Sequence, residues 1–237
     1  MIKPILKTTL LTLLFCYFAF LAKAQVGYNY AQYEIGTSVG FNKVYGDAET
    51  LITMPSINFN FTYNATPFTN FVFEAQLGKL RGGDSVLTKS GRYFNNDFVA
   101  FIFRGQLQFG EFLDYSNSKL NNALKNLYVS AGIGVVRNNI TQINRYSQQL
   151  PGFYTGGDDK SKVPFIPLRI GYEFKLYNTY SQPSVKIDVG YGYNYMLSDG
   201  LDGFTAGGKK DVLSQYTLGV KFAIGEAAIS YRKQITY

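Results

Sequence analysis

Histidine and tryptophan are absent from this chain of 237 residues, and there is one cysteine, Cys16. Without an imidazole there is no Ser-His-Asp or Cys-His nucleophilic site and no His-ligated metal. Long apolar runs are scarce as well. The one that stands out, TLLTLLFCYFAFL at 9–21, is short for a membrane-spanning helix. It follows Lys3 and Lys7 and ends at Ala22-Lys23-Ala24, the layout of a secretory signal peptide covering residues 1–24. A lipoprotein site at Leu13-Leu14-Phe15-Cys16 competes, but Phe15 is bulky for the residue before a lipidated cysteine. Cleavage before Gln25 would remove the only thiol, and with it any disulfide or Cys-metal chemistry. It would also remove Lys3, Lys7 and Lys23, lowering the formal charge from +7 to +4, a weak basis for nucleic-acid binding. No cofactor is expected, and 25–237 reads as one domain.

What the chain has is alternation. In VKIDVGYGYNYML, 185–197, Val185, Ile187, Val189, Tyr191, Tyr193 and Tyr195 share one parity, opposite Lys186, Asp188, Gly190, Gly192 and Asn194. The same period of two recurs at 33–42, 56–63, 71–78, 98–109, 127–136, 166–174 and 216–224, giving eight legible strands. Asn64-Ala65-Thr66-Pro67 reads as a tight turn, because proline cannot continue a ladder. Longer connections fall at 43–55, 79–96, 138–163 and 198–212, and shorter ones at 64–70 and 176–184. Long connections on one side and short ones on the other are the habit of outer-membrane barrels. The connection at 110–126, which contains a possible short helix in SKLNNALKN, is too long for that scheme. AAISYRKQITY after Gly225-Glu226 alternates again. Eight strands with an appended tail is the preferred count; ten, with the leader 26–30 as an added strand, is the alternative.

Alternation alone does not say which face is inside, since soluble and membrane barrels turn one pattern inside out. Glycine breaks the tie. Gly36, Gly40, Gly78, Gly132, Gly134, Gly171, Gly190, Gly192 and Gly219 lie on the polar parity, where a crowded lumen rewards small residues; Gly105 is the exception. Glu34, Glu74, Arg104, Arg169, Glu173, Lys186, Asp188 and Lys221 share that parity in both signs and form a candidate internal ion-pair network. The apolar parity of the eight segments carries no charge, and 20 Tyr with 20 Phe suit interfacial girdles. The expected fold is all-β, an antiparallel up-and-down transmembrane barrel.

YEIGTSVGFNKVYGD at 33–47 and NLYVSAGIGVVRNN at 126–139 resemble the small outer-membrane β-barrel proteins of Bacteroidetes type, related in shape to the OmpA transmembrane domain. They are weakly similar to the barrel family that includes a type IX secretion accessory protein. The resemblance implies an outer-membrane location, contact with outer-membrane lipid, and a possible envelope or secretion-system protein as partner.

The remaining motifs are weak. Asp158-Asp159 beside Gly156-Gly157 lacks a third spaced Ca²⁺ ligand and reads as a solvated loop. Gly207-Gly208-Lys209-Lys210 reads as a charged turn without Walker spacing. An eight-stranded interior is about filled by side chains, so a structural plug is favoured over a narrow solute channel. The long loops, on a rigid scaffold, are the candidate binding surface. The leading expectation is a non-enzymatic outer-membrane barrel with a structural, adhesive or secretion-accessory role. A narrow channel and a soluble barrel holding an apolar ligand are the alternatives.

Overall fold

The computed structural model describes residues 25–234 except 87, 116–117, 180–181 and 206–209. The expected signal peptide at 1–24, Cys16 included, and Gly207, Gly208 and Lys209 of the expected charged turn lie outside the described residues. The strands are β1 (Gln25–Tyr45), β2 (Leu51–Ile52), β3 (Met54–Asn64), β4 (Thr69–Gly83), β5 (Tyr93–Gln108), β6 (Leu127–Asn144), β7 (Lys160–Tyr177), β8 (Pro183–Met196) and β9 (Val212–Gln234). Every pairing is antiparallel, β1 with β3 and then each strand from β3 to β9 with the next, and β1 also pairs with β9, so the sheet closes. The two-residue β2 prolongs β3 beyond the break at Thr53, pairing Leu51 with Gly82 and Ile52 with Arg81 of β4. The barrel is therefore eight-stranded, and closure leaves its body without an open edge.

The tail is neither a ninth nor a tenth strand. Residues 228–234 prolong β9 and pair with 25–31, which prolong β1, across an irregularity between Ala31 and Tyr33. The two alternatives for tail and leader thus merge into one ribbon extending past the barrel rim. Two expected loops are shorter than read, because β4 and β5 run out to Gly83 and Tyr93, and β6 and β7 to Asn144 and Lys160. Asn, Gln and Gly had suggested irregular chain there, yet ladder pairing carries these residues as strand.

The side chains divide by parity. Leu168 and Ile170 on the outer wall are 46% and 49% exposed, while the Arg169 side chain between them is 7% exposed. Phe59, Phe101 and Val189 likewise stand on the outside, and Lys186 is buried within. Aromatic side chains gather near both rims of this apolar band: Tyr33 against Tyr63 and Phe61 at one end, Tyr191 against Tyr216 toward the other. The extended strands do add charge to the outer parity, correcting the expectation of a charge-free wall. Lys79, Asp97, Arg137, Lys160 and Lys162 are exposed beyond the band, on the long-loop side.

Candidate functional site

The lumen is built in layers. At the short-turn end, Phe68 is fully buried, 5.6 Å from the Tyr115 ring and with Lys175 Nζ 4.9 Å over its face. Lys175 Nζ donates to Gln108 Oε1 at 2.7 Å and to the Pro67 carbonyl at 3.1 Å. The oversized connection closes this end. It contains a 3-10 turn, Phe109–Glu111, and α1 (Lys119–Leu124), capped by Ser118 Oγ accepting from Asn121 N. Gly110 lies against the Phe68 ring, and Glu111 accepts from Thr66 Oγ1 and Tyr231 Oη, tying the connection to a turn and to the β9 extension.

Above this floor the structure brings all eight sequence-chosen charges into contact. Glu74 accepts from Arg104 at 3.0 Å and from Arg169 at 3.2 Å. Glu173 accepts from Lys221 at 2.6 Å and lies 3.6 Å from Lys186, which reaches Glu34 at 2.7 Å. Lys221 also lies 2.7 Å from Asp188. Every side chain in these pairs is at most 7% exposed. Neutral groups join the strands further: Gln76 donates to Gln215, Gln106 and Gln108 donate to Glu173, and Tyr128 Oη donates to Asp188 at 2.9 Å. These bonds run across the bore, from β4 to β7 and β9 and from β5 to β7, so they occupy the space a channel would need.

Lumen glycines make room for them. A methyl at Gly171 would lie 2.5 Å from Tyr128 Oη, and one at Gly132 would strike the Phe103 carbonyl and the Arg104 backbone. Outward-facing Gly105 has open space around it.

Toward the long-loop mouth the lumen becomes apolar. Leu80, Phe94, Phe98, Ala100, Ile102, Val136, Val163, Phe165, Met196 and Leu213 form a buried cluster that also takes in Leu201 and Phe204 from the loop between β8 and β9. Phe204 packs edge-on to Phe94, and the Arg92 guanidinium lies over the Phe204 ring, 5.6 Å from its centroid. Side chains of the wall hold the loop's backbone: Asn96 donates to the Leu201 carbonyl, Ser161 to Gly200 and Arg145 to Gly203. The inward parity is therefore not polar throughout, and this part of the expectation is corrected.

No protein-family model matches the chain, and no curated protein matches it. Solved structures with a similar path do exist. Neisserial surface protein A (NspA) aligns at 11% identity with a TM-score of 0.46, over 85% of this chain and 100% of that one. Ail, the attachment invasion locus protein of Yersinia pestis, aligns at 13% and 0.46, over 81% and 97%. Acinetobacter baumannii CarO aligns at 16% and 0.36, over 80% and 97%.

Three features escaped the sequence reading. Lys175 and Tyr128 sit on the inward parity but were not counted with the lumen network. A carboxylate cluster at the mouth escaped because its members lie far apart in the chain: Asp47 follows β1, while Asp199, Asp202 and Asp211 lie between β8 and β9. Burial, with Asp211 and Asp47 nearby, pushes Asp199 up to about 6; burial and Asp211 push Asp202 up to about 8. The Asp158-Asp159 pair had drawn attention instead, and there Asp159 forms an ion pair with Arg145 at 2.9 Å.

Proposed function

We propose that this chain is an integral outer-membrane protein whose barrel is a closed anchor and whose activity is contact-making, adhesive or secretion-accessory, through the surface formed by its long loops. The observation that supports this best is the inversion of the wall. Paired charges fill the lower half of the interior while Phe, Tyr, Leu and Ile face outward around the whole circumference, an arrangement that water disfavours and acyl chains favour. The cations at Lys79, Arg137, Lys160 and Lys162, beyond the apolar band, suit an anionic lipid headgroup layer on the loop side.

The role is non-enzymatic in this reading. The interior carboxylates Glu74, Glu173 and Glu34 are each matched to cations, which favours a structural plug over an acid-base pair. Loops laced to the wall give a firm platform for a protein partner in the envelope.

Envelope fractionation tests the location: the protein should stay with outer membranes after salt and alkali washes and migrate faster unheated than boiled on a gel. Recovery in the soluble fraction would overturn the anchor and revive the soluble barrel. Purified protein in planar bilayers should conduct no more than background, and steady unitary currents would instead establish the narrow channel. Trimming residues 147–153 should reduce partner capture from intact envelopes while the heat-dependent shift remains; unchanged capture would remove that loop from the contact surface.

A further inference from the structure

One carboxylate oxygen from each of Asp47, Asp199 and Asp202 lies within 4.8 Å of the others. Oxygens bound to one Ca²⁺ at about 2.3–2.6 Å can be no farther apart than about 5.2 Å. Spacing alone does not make a site, but a fourth carboxylate adds an independent observation. Asp211 is wholly buried; its Oδ2 accepts from Leu201 N at 2.8 Å and Gly200 N at 3.3 Å, whereas its Oδ1 has no hydrogen-bond partner. That oxygen is aimed into the cluster: a methyl built on Gly46 would collide with both Asp211 Oδ1 and Asp202 Oδ2, which therefore converge on one small space. Asp199 Oδ1 is also buried and unpartnered.

Backbone contacts position Asp202 without neutralising it. Asp202 Oδ2 accepts from Asp47 N at 2.7 Å and its Oδ1 from Phe204 N at 3.0 Å. Among the described residues, no salt bridge reaches Asp199, Asp202 or Asp211. Burying the like charges of Asp199, Asp202 and Asp211 beside one another without a paired cation among the described residues is costly.

We propose that Asp47, Asp199, Asp202 and Asp211 bind a hard divalent cation, Ca²⁺, which fastens the β8–β9 loop into the barrel mouth. An all-oxygen, anionic donor set on loop backbone suits Ca²⁺ over the softer transition metals, and its irregularity suits Ca²⁺ over Mg²⁺, which demands near-octahedral geometry. Asp202 lies between Leu201 and Phe204, the two loop side chains seated in the apolar upper lumen. Gly46 and Asp47 directly follow the end of β1, so a bound ion ties this loop to the strand that closes the barrel against β9.

The test uses the full protein in detergent, stripped with EDTA and dialysed, then titrated calorimetrically with CaCl₂ and separately with MgCl₂. One Ca²⁺ per chain is expected, at least tenfold tighter than Mg²⁺, together with slower proteolysis of the 197–211 loop. Asp211→Asn and Asp202→Asn should each weaken Ca²⁺ at least tenfold while the heat-dependent gel shift persists. Asp199→Asn, at a half-buried position, gives the same readout if the buried substitutions prevent folding. No saturable binding at millimolar Ca²⁺, equal affinity for Mg²⁺, or binding unchanged in a folded Asn variant would overturn the site.

Discussion

The lower and upper halves of the lumen solve the same packing problem with opposite chemistry. The lower half fills the bore with charges in matched pairs, so each carboxylate needs particular partners at particular distances. The upper half fills it with Phe, Leu, Val and Met, and recruits Leu201 and Phe204 from a loop to complete the packing. Ionic contacts specify register and tolerate little loss, since an unpaired buried charge has no substitute partner. Apolar contacts tolerate rearrangement and can be partly released. The difference makes the lower half depend on particular charge partners and the mouth on how well the loop side chains pack.

The sharpest break in that contrast is Glu173→Ala. It strips Lys221 and Lys186 of a shared partner and should cost about 3–5 kcal/mol, read as a fall in the urea midpoint in detergent. Leu201→Ala should cost about 2–3 kcal/mol, expressed chiefly as faster cleavage of the 197–211 loop, with the lower barrel still protected. If both substitutions melt the barrel alike, the two halves form one cooperative unit. Replacing Lys186 and Glu34 together by Met should be milder than Lys186→Met alone by about 1–3 kcal/mol, because no carboxylate at position 34 is then stranded. Gly105→Leu on the open outer wall should change stability by less than about 0.5 kcal/mol, and a larger loss would mean that the position is not free of neighbours.

Most of the barrel was legible because alternation has a period of two and each face meets a different medium. Arg104, Arg169, Glu173 and Lys221 announce the inward parity wherever their neighbours are Phe, Leu and Ile. The same signal fades at the strand ends. Asn95, Asn138 and Asn139 read as loop because their identities favour turns, yet neighbouring strands pair with them. Phe98 and Ile102 were obscured differently: apolar residues on both faces leave no alternation to read, and their burial comes from packing with inward side chains of other strands and of the tucked loop.

The sequence by itself determined which parity turns inward, since this follows from local spacing and side-chain polarity, whereas the choice between eight and ten strands was settled by the pairing of 25–31 with 228–234. Which charge meets which was decided by the register of the closed wall, which sets Glu74 of β4 beside Arg169 of β7 across intervening strands. The convergence of Asp47 with Asp199 and Asp202 was likewise tertiary. Their separation along the chain is spanned only when β1 pairs with β9, so no local pattern could carry it.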